Sequence, residues 1–169
     1  MWGQFLATFA GVILSFLLWF GGEKIFQYQR EKKARAHLYK EIVQEIKENI
    51  ILLGMFADMI EKSLKSGRIA LLGLKLNVSA RSSAISSGEL RLISDSEQRQ
   101  LIRNSTYESQ EFNHFVENTE LILAIVNLKA QAQALTDAHH RLNQLKEQAK
   151  ETATYLQENI INKLTIPQK

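Results

Sequence analysis

Hydrophobic and polar positions divide the chain into one uncharged apolar run and several stretches of helical periodicity. From Met1 to Gly22 no side chain is charged, and positions 5–20 are dominated by Phe, Leu, Ile, Val and Ala. At 1.5 Å per residue this run reaches roughly 30 Å, the thickness of a hydrocarbon core. Trp2 at one end and Trp19 with Phe20 at the other suit the two membrane interfaces. After Gly21-Gly22, residues Val43, Ile46, Ile50, Leu53, Ala57, Ile60 and Leu64 step by three and four. That is the core stripe of an amphipathic helix, and Ser66-Gly67 ends it. Ile42, Leu52, Met55, Phe56 and Met59 form a second apolar side, so the middle of this helix is expected to be buried nearly all round.

The segment 69–76 is apolar but too short to span a membrane, and reads as a short buried helix or an ordered connector. Asn77 as N-cap and Gly88 as C′ glycine bracket a short helix, with a connector over 89–93. Ser94-Asp95-Ser96-Glu97 is a capping-box pattern. Leu101, Phe112, Phe115, Val116, Ile122 and Val126 then share one helical face. Leu135, Ala138, Leu142, Leu145, Ala149, Thr152 and Leu156, followed by Ile160 and Leu164, make a cleaner one. One helix over 95–164 would be about 105 Å long, so a turn or kink is expected at Asn127 or at Thr136-Asp137. The predicted fold class is all-α: one N-terminal transmembrane helix, then a cytoplasmic antiparallel helical bundle with long helices. The expected domains are 1–22, the span, and 23–169, the helical domain. The latter comprises a basic juxtamembrane helix 23–65, a connector and short helix 66–93, and long helical segments 94–164.

Composition supports this and removes rivals. Among 169 residues there is one proline, Pro167, with eight glycines and no cysteine. So few breakers argue against turn-rich β architectures, and the lack of cysteine excludes disulfides and thiolate metal sites. Charge orients the span: Lys24, Arg30, Lys32, Lys33, Arg35 and Lys40 follow it, against only Glu23 and Glu31. The positive-inside rule places the C-terminal bulk in the cytoplasm and the N-terminus outside, in the cell inner membrane. A cleaved signal peptide would carry its basic residues before the apolar run, and here they come after it. Within the span, Gly3, Ala7, Gly11 and Ser15 recur every four residues, a stripe along which two helices can approach closely.

Catalytic motifs are absent from the sequence, including the phosphate-loop, dinucleotide and zinc-protease signatures. Adjacent His139 and His140 point about 100° apart on a helix and make no ligand pair. Glu108, Glu111, Glu117 and Glu120 lie in a stretch, 106–128, without Lys or Arg, which suits a solvated face or one that docks a basic surface. The expectation is therefore a non-enzyme with no cofactor and no metal. The most informative polar segment is 75–103. Its Arg81, Arg91, Arg99 and Arg103 are interleaved with Ser82, Ser83, Ser86 and Ser87, the ingredients of a phosphate or nucleotide site beside helix starts. Double-stranded nucleic acid is not an expected partner, since a formal net charge of +3 is small.

The layout resembles that of small bacterial membrane-anchored helical proteins. The segment 84–93, Ala-Ile-Ser-Ser-Gly-Glu-Leu-Arg-Leu-Ile, followed by Leu101 and Tyr107, looks like a small-x-S-G-x-L-x-L-L…L…Y pattern seen in such chains. One group of similar layout is the membrane effectors of type III CRISPR defence, which bind cyclic tetra-adenylate through a cytoplasmic domain and disturb the membrane. The resemblance implies an oligomeric effector in antiviral defence, with membrane lipid, further copies of itself and a cyclic nucleotide as partners. No ligand-binding residue carries over by motif. The alternative expectation is a structural anchor or scaffold that holds a cytoplasmic partner at the membrane.

Overall fold

The computed structural model describes residues 2–66, 73–129 and 132–164, with side chains over 9–66, 73–124 and 136–164. The described residues are all-helical and contain no strand. Helix α1 runs Trp2–Ser66, α2 Ser79–Ser86, α3 Ser96–Lys129 and α4 Ala132–Tyr155. A 3₁₀ turn, Glu89–Leu92, follows α2, and a π-helical turn, Leu156–Ile161, follows α4. Packing divides the chain into two compact units, Met1–His37 and Leu38–Lys169.

In the first unit the described side chains from 9 to 34 are all exposed. The packing boundary therefore lies near Leu38, the first buried side chain, whereas the charge pattern marks Gly22. α1 is long and apolar enough there to cross a membrane, and its apolar window is entirely unburied.

The second unit has one apolar core. α1 contributes Leu38, Ile42, Ile46, Leu53, Phe56 and Ile60; α3 contributes Ile102, Phe112, Val116 and Leu123; α4 contributes Ala138, Leu142, Leu145 and Ala149. Phe56 and Phe112 meet edge to face, centroids 6.2 Å apart, the geometry in which a ring's positive edge meets a negative face. Every described member of the α4 stripe from Ala138 to Leu164 is buried.

The structure corrects three expectations. Ile51, Met55 and Met59 are exposed, so α1 is not buried all round. With 3.6 residues per turn they lie opposite Leu53, Ala57 and Ile60, and no described element covers that side. Thr136-Asp137 lies inside α4 and Asn127 inside α3, so both expected turn sites are helical. Around α3 the cap is Asp95, whose carboxylate accepts the Glu97 N–H at 2.8 Å, one residue later than the hydroxyl of Ser94. Gly88 does close α2 in the left-handed region, at φ +75°, where a side chain would be strained. Residues 73–78 form no helix, which settles the described part of 69–76 as connector; 67–72 lie outside the described residues.

Candidate functional site

Arg81 is the centre of the most elaborate polar arrangement in the second unit. It projects from α2 and is fully buried. Its Nε donates to Glu45 Oε1 of α1 at 2.6 Å, and Nη1 donates to the Ser105 carbonyl of α3 at 2.8 Å. Nη2 donates to the Asn77 carbonyl at 3.0 Å and to Ser109 Oγ at 3.2 Å. The other Glu45 oxygen accepts the Ala80 N–H at 2.6 Å, while Asn77 Oδ1 accepts the Ser79 N–H at 2.9 Å. The N-cap position is held by Val78 rather than by Asn77, whose side chain reaches the first helical N–H from one residue earlier, and a buried carboxylate from α1 takes the next one. Burial pulls the Arg81 guanidinium below its ordinary pKa, against the opposing pull of Glu45.

Two asparagines extend the arrangement along the connector. Asn49 of α1 donates to the Asn77 carbonyl at 2.6 Å and accepts the Asn77 N–H at 2.9 Å. Asn113 of α3 does the same at Leu76, accepting at 2.7 Å and donating at 3.1 Å. Each side-chain amide pairs with a backbone peptide as a neighbouring strand would, so a segment without helix or sheet keeps its polar groups satisfied in a buried place. Further along α3, Glu117 pairs with Lys75 at 3.3 Å and Glu120 accepts the Gly73 N–H at 2.6 Å. Those two carboxylates of the acidic stretch therefore dock the chain's own connector.

The other residues expected to bind an anion lie apart from Arg81. Ser82 is half-buried, and Ser83, Ser86 and Ser87 are exposed. Ser86 Oγ donates to the Ser83 carbonyl at 3.1 Å, and Ser87 Oγ accepts the Glu89 N–H at 3.3 Å, bonds local to the helix end. Arg99 donates to the carbonyls of Ile93 and Ser94, holding the turn before α3. Arg91 and Arg103 are exposed. Glu45, Asn49, Ser105, Ser109 and Asn113 escaped the sequence reading. Their signal was polar residues spaced by four on faces otherwise apolar: 45 and 49, 77 and 81, 105, 109 and 113.

None of those arginines or serines lines either of two clefts found among the described residues of this unit. One, of about 290 Å³, has Glu108, Glu111, His114 and Gln148 in its wall. Beside it the Tyr107 hydroxyl donates to Glu111 at 2.7 Å, a bond that raises the phenol's pKa. The other, of about 400 Å³, is lined by Glu61, Leu64 and Lys65 of α1 and by His139, Asn143 and Lys146 of α4. Among the described residues no group of His and acidic side chains is placed to hold a metal ion.

In the first unit, Gly3 and Ala7 lie in α1, their side chains outside the described set. A Cβ added at Gly11 would meet nothing within 4 Å, and Ser15 Oγ donates to the Gly11 carbonyl at 2.8 Å. Phe16 and Phe20 stack at 6.0 Å. Lys24 sits over the Phe20 ring at 5.4 Å and Arg30 over Phe26 at 4.4 Å, so cations lie against aromatic faces where the apolar run gives way to charge. Compared with known proteins, the chain matches no family model, no curated protein and no solved structure.

Proposed function

We propose that the protein is a single-span anchor of the inner membrane whose second unit, a non-enzymatic helical bundle, holds a partner at the cytoplasmic face. One observation carries this: large apolar side chains from Phe9 to Phe20 stand exposed, and basic residues follow them. Leaving that much apolar surface in water is costly, at roughly 25 cal/mol per Å², and lipid removes the cost. Ile51, Met55 and Met59, exposed in line on α1, support a partner-holding role. Self-association of the spans through Gly3, Ala7, Gly11 and Ser15 belongs to the same proposal, since the chain itself leaves Gly11 uncovered. The test is fractionation of full-length protein: it stays in the membrane pellet after an alkaline wash, and release into the supernatant would refute the anchor.

The ligand-sensing effector is the second reading. Arg81 gives it no support, because Nε, Nη1 and Nη2 all bond within the protein. The cationic cleft between α1 and α4 does.

A further inference from the structure

We infer that the cleft between α1 and α4 binds a phosphate group, held by Lys65, His139, Asn143 and Lys146. The inference goes beyond the anchor and does not depend on it. The cleft, about 400 Å³, has room for phosphate and a small attached group. Three features point to an anion.

The first is His139. Its Nε2 is one of two buried side-chain polar atoms without a hydrogen-bond partner among the described residues, the other being Arg35 Nε in the first unit. Folded proteins rarely leave such an atom unsatisfied, and in the tautomer that carries its hydrogen there Nε2 can donate a hydrogen bond to a phosphate oxygen.

The second is Lys146. Its side chain is only 17% exposed, yet its ion pair with the adjacent Glu147 is long, at 3.7 Å. A shielded ammonium with so loose a counterion is a strong donor to a phosphate oxygen.

The third is the balance of charge. Glu61 is the one carboxylate in the wall, and it is tied to Lys65 at 2.7 Å, four residues on along α1. That bond, with the charges of Lys65, Lys146 and Lys150, lowers the Glu61 pKa, so the surroundings of the cleft favour negative charge. Asn143 adds an amide donor from the turn between His139 and Lys146. His139, Asn143 and Lys146 step by four and three, which puts them on one face of α4. No Phe, Tyr or Trp lines the cleft, so the geometry selects the phosphate rather than a stacked base.

A free phosphate and a lipid headgroup present the same group, and two arms of one experiment separate these. Full-length protein labelled with nitrogen-15 in its histidine rings is placed in zwitterionic nanodiscs and titrated with inorganic phosphate. A second sample uses nanodiscs containing phosphatidic acid and no added phosphate. The chain has four histidines, and His139→Gln assigns the ring signal that matters by its loss. The expected result is a shift of the His139 ring in at least one arm; the first arm identifies a soluble ligand, the second a headgroup. Lys146→Gln weakens the titration about tenfold, equivalent to about 1.4 kcal/mol. Lys62→Gln, on α1 but outside the wall, changes it by less than about twofold. If Lys146→Gln loses helical circular dichroism, Lys65→Gln carries the test, because that side chain is 74% exposed and its loss leaves the core intact. No shift of His139 in either arm, or parental affinity in both lysine variants, overturns the inference.

Discussion

At Glu45 and Arg81 the chain buries two charges in a core that strongly disfavours either one alone. Both side chains are nearly inaccessible, and their attraction offsets desolvation only while the remaining donors and acceptors are also met. Here they are, by Ser105, Ser109, Asn77 and Ala80. Arg81→Met leaves Glu45 buried without its partner and is expected to cost about 3–5 kcal/mol. The double variant Glu45→Met with Arg81→Met removes both charges and should unfold at higher denaturant than Arg81→Met alone; chemical denaturation measures the order, and the reverse order contradicts the account. A second residue-scale prediction concerns alkaline pH. Burial, with a smaller contribution from Glu108, raises the Tyr155 pKa above its ordinary value of 10.0. A group whose pKa is higher in the folded state contributes stability below its unfolded pKa, and that contribution is lost as pH rises through the folded one. Stability should therefore fall above about pH 10, and Tyr155→Phe should make that fall shallower. An unchanged slope in pH-dependent denaturation would place the effect elsewhere.

Individual elements were legible in the sequence to the extent that one face decided them. The α4 stripe was readable because Ala138, Leu142, Leu145, Ala149, Thr152 and Leu156 all face a single core, and all are buried. Gly88 was readable because a left-handed residue after a short helix favours glycine. The exposed side of α1 was not: Met55 and Met59 have the same composition signal whether or not a neighbour covers them. Nor was the role of Arg81, since arginine among serines describes an anion site and a buried clamp equally well; only Glu45, thirty-six residues earlier in the chain, separates the two. Self-association of the span is tested at this scale. At Gly11 an added Cβ meets no described side chain within 4 Å, so Gly11→Ile starts from open space on α1. Any loss of crosslinked dimer in membranes then reports a contact between chains, expected to be worth about 1–2 kcal/mol. Val12→Ile, one step round the helix, should leave crosslinking unchanged, and equal yields from both variants would remove the stripe as the contact.

For the whole molecule, the all-helical class and the apolar N-terminal helix followed directly from periodicity and charge. The division into units did not, because packing changes at Leu38, well after the charge pattern does. Residues 23–34 are helical and exposed, a stretch whose basic side chains suit an anionic membrane surface. The account rests on the first unit lying in lipid and the second facing the cytoplasm. The chain has no cysteine, so one introduced thiol is the sole target of a maleimide. Ser86 is exposed near the end of α2, and Ser86→Cys places that thiol in the second unit. The decisive measurement is labelling of full-length Ser86→Cys by a membrane-impermeant maleimide, before and after the expressing cells are opened. The account predicts protein retained in the membrane fraction, unlabelled in intact cells and labelled once they are opened. Labelling in intact cells would contradict it.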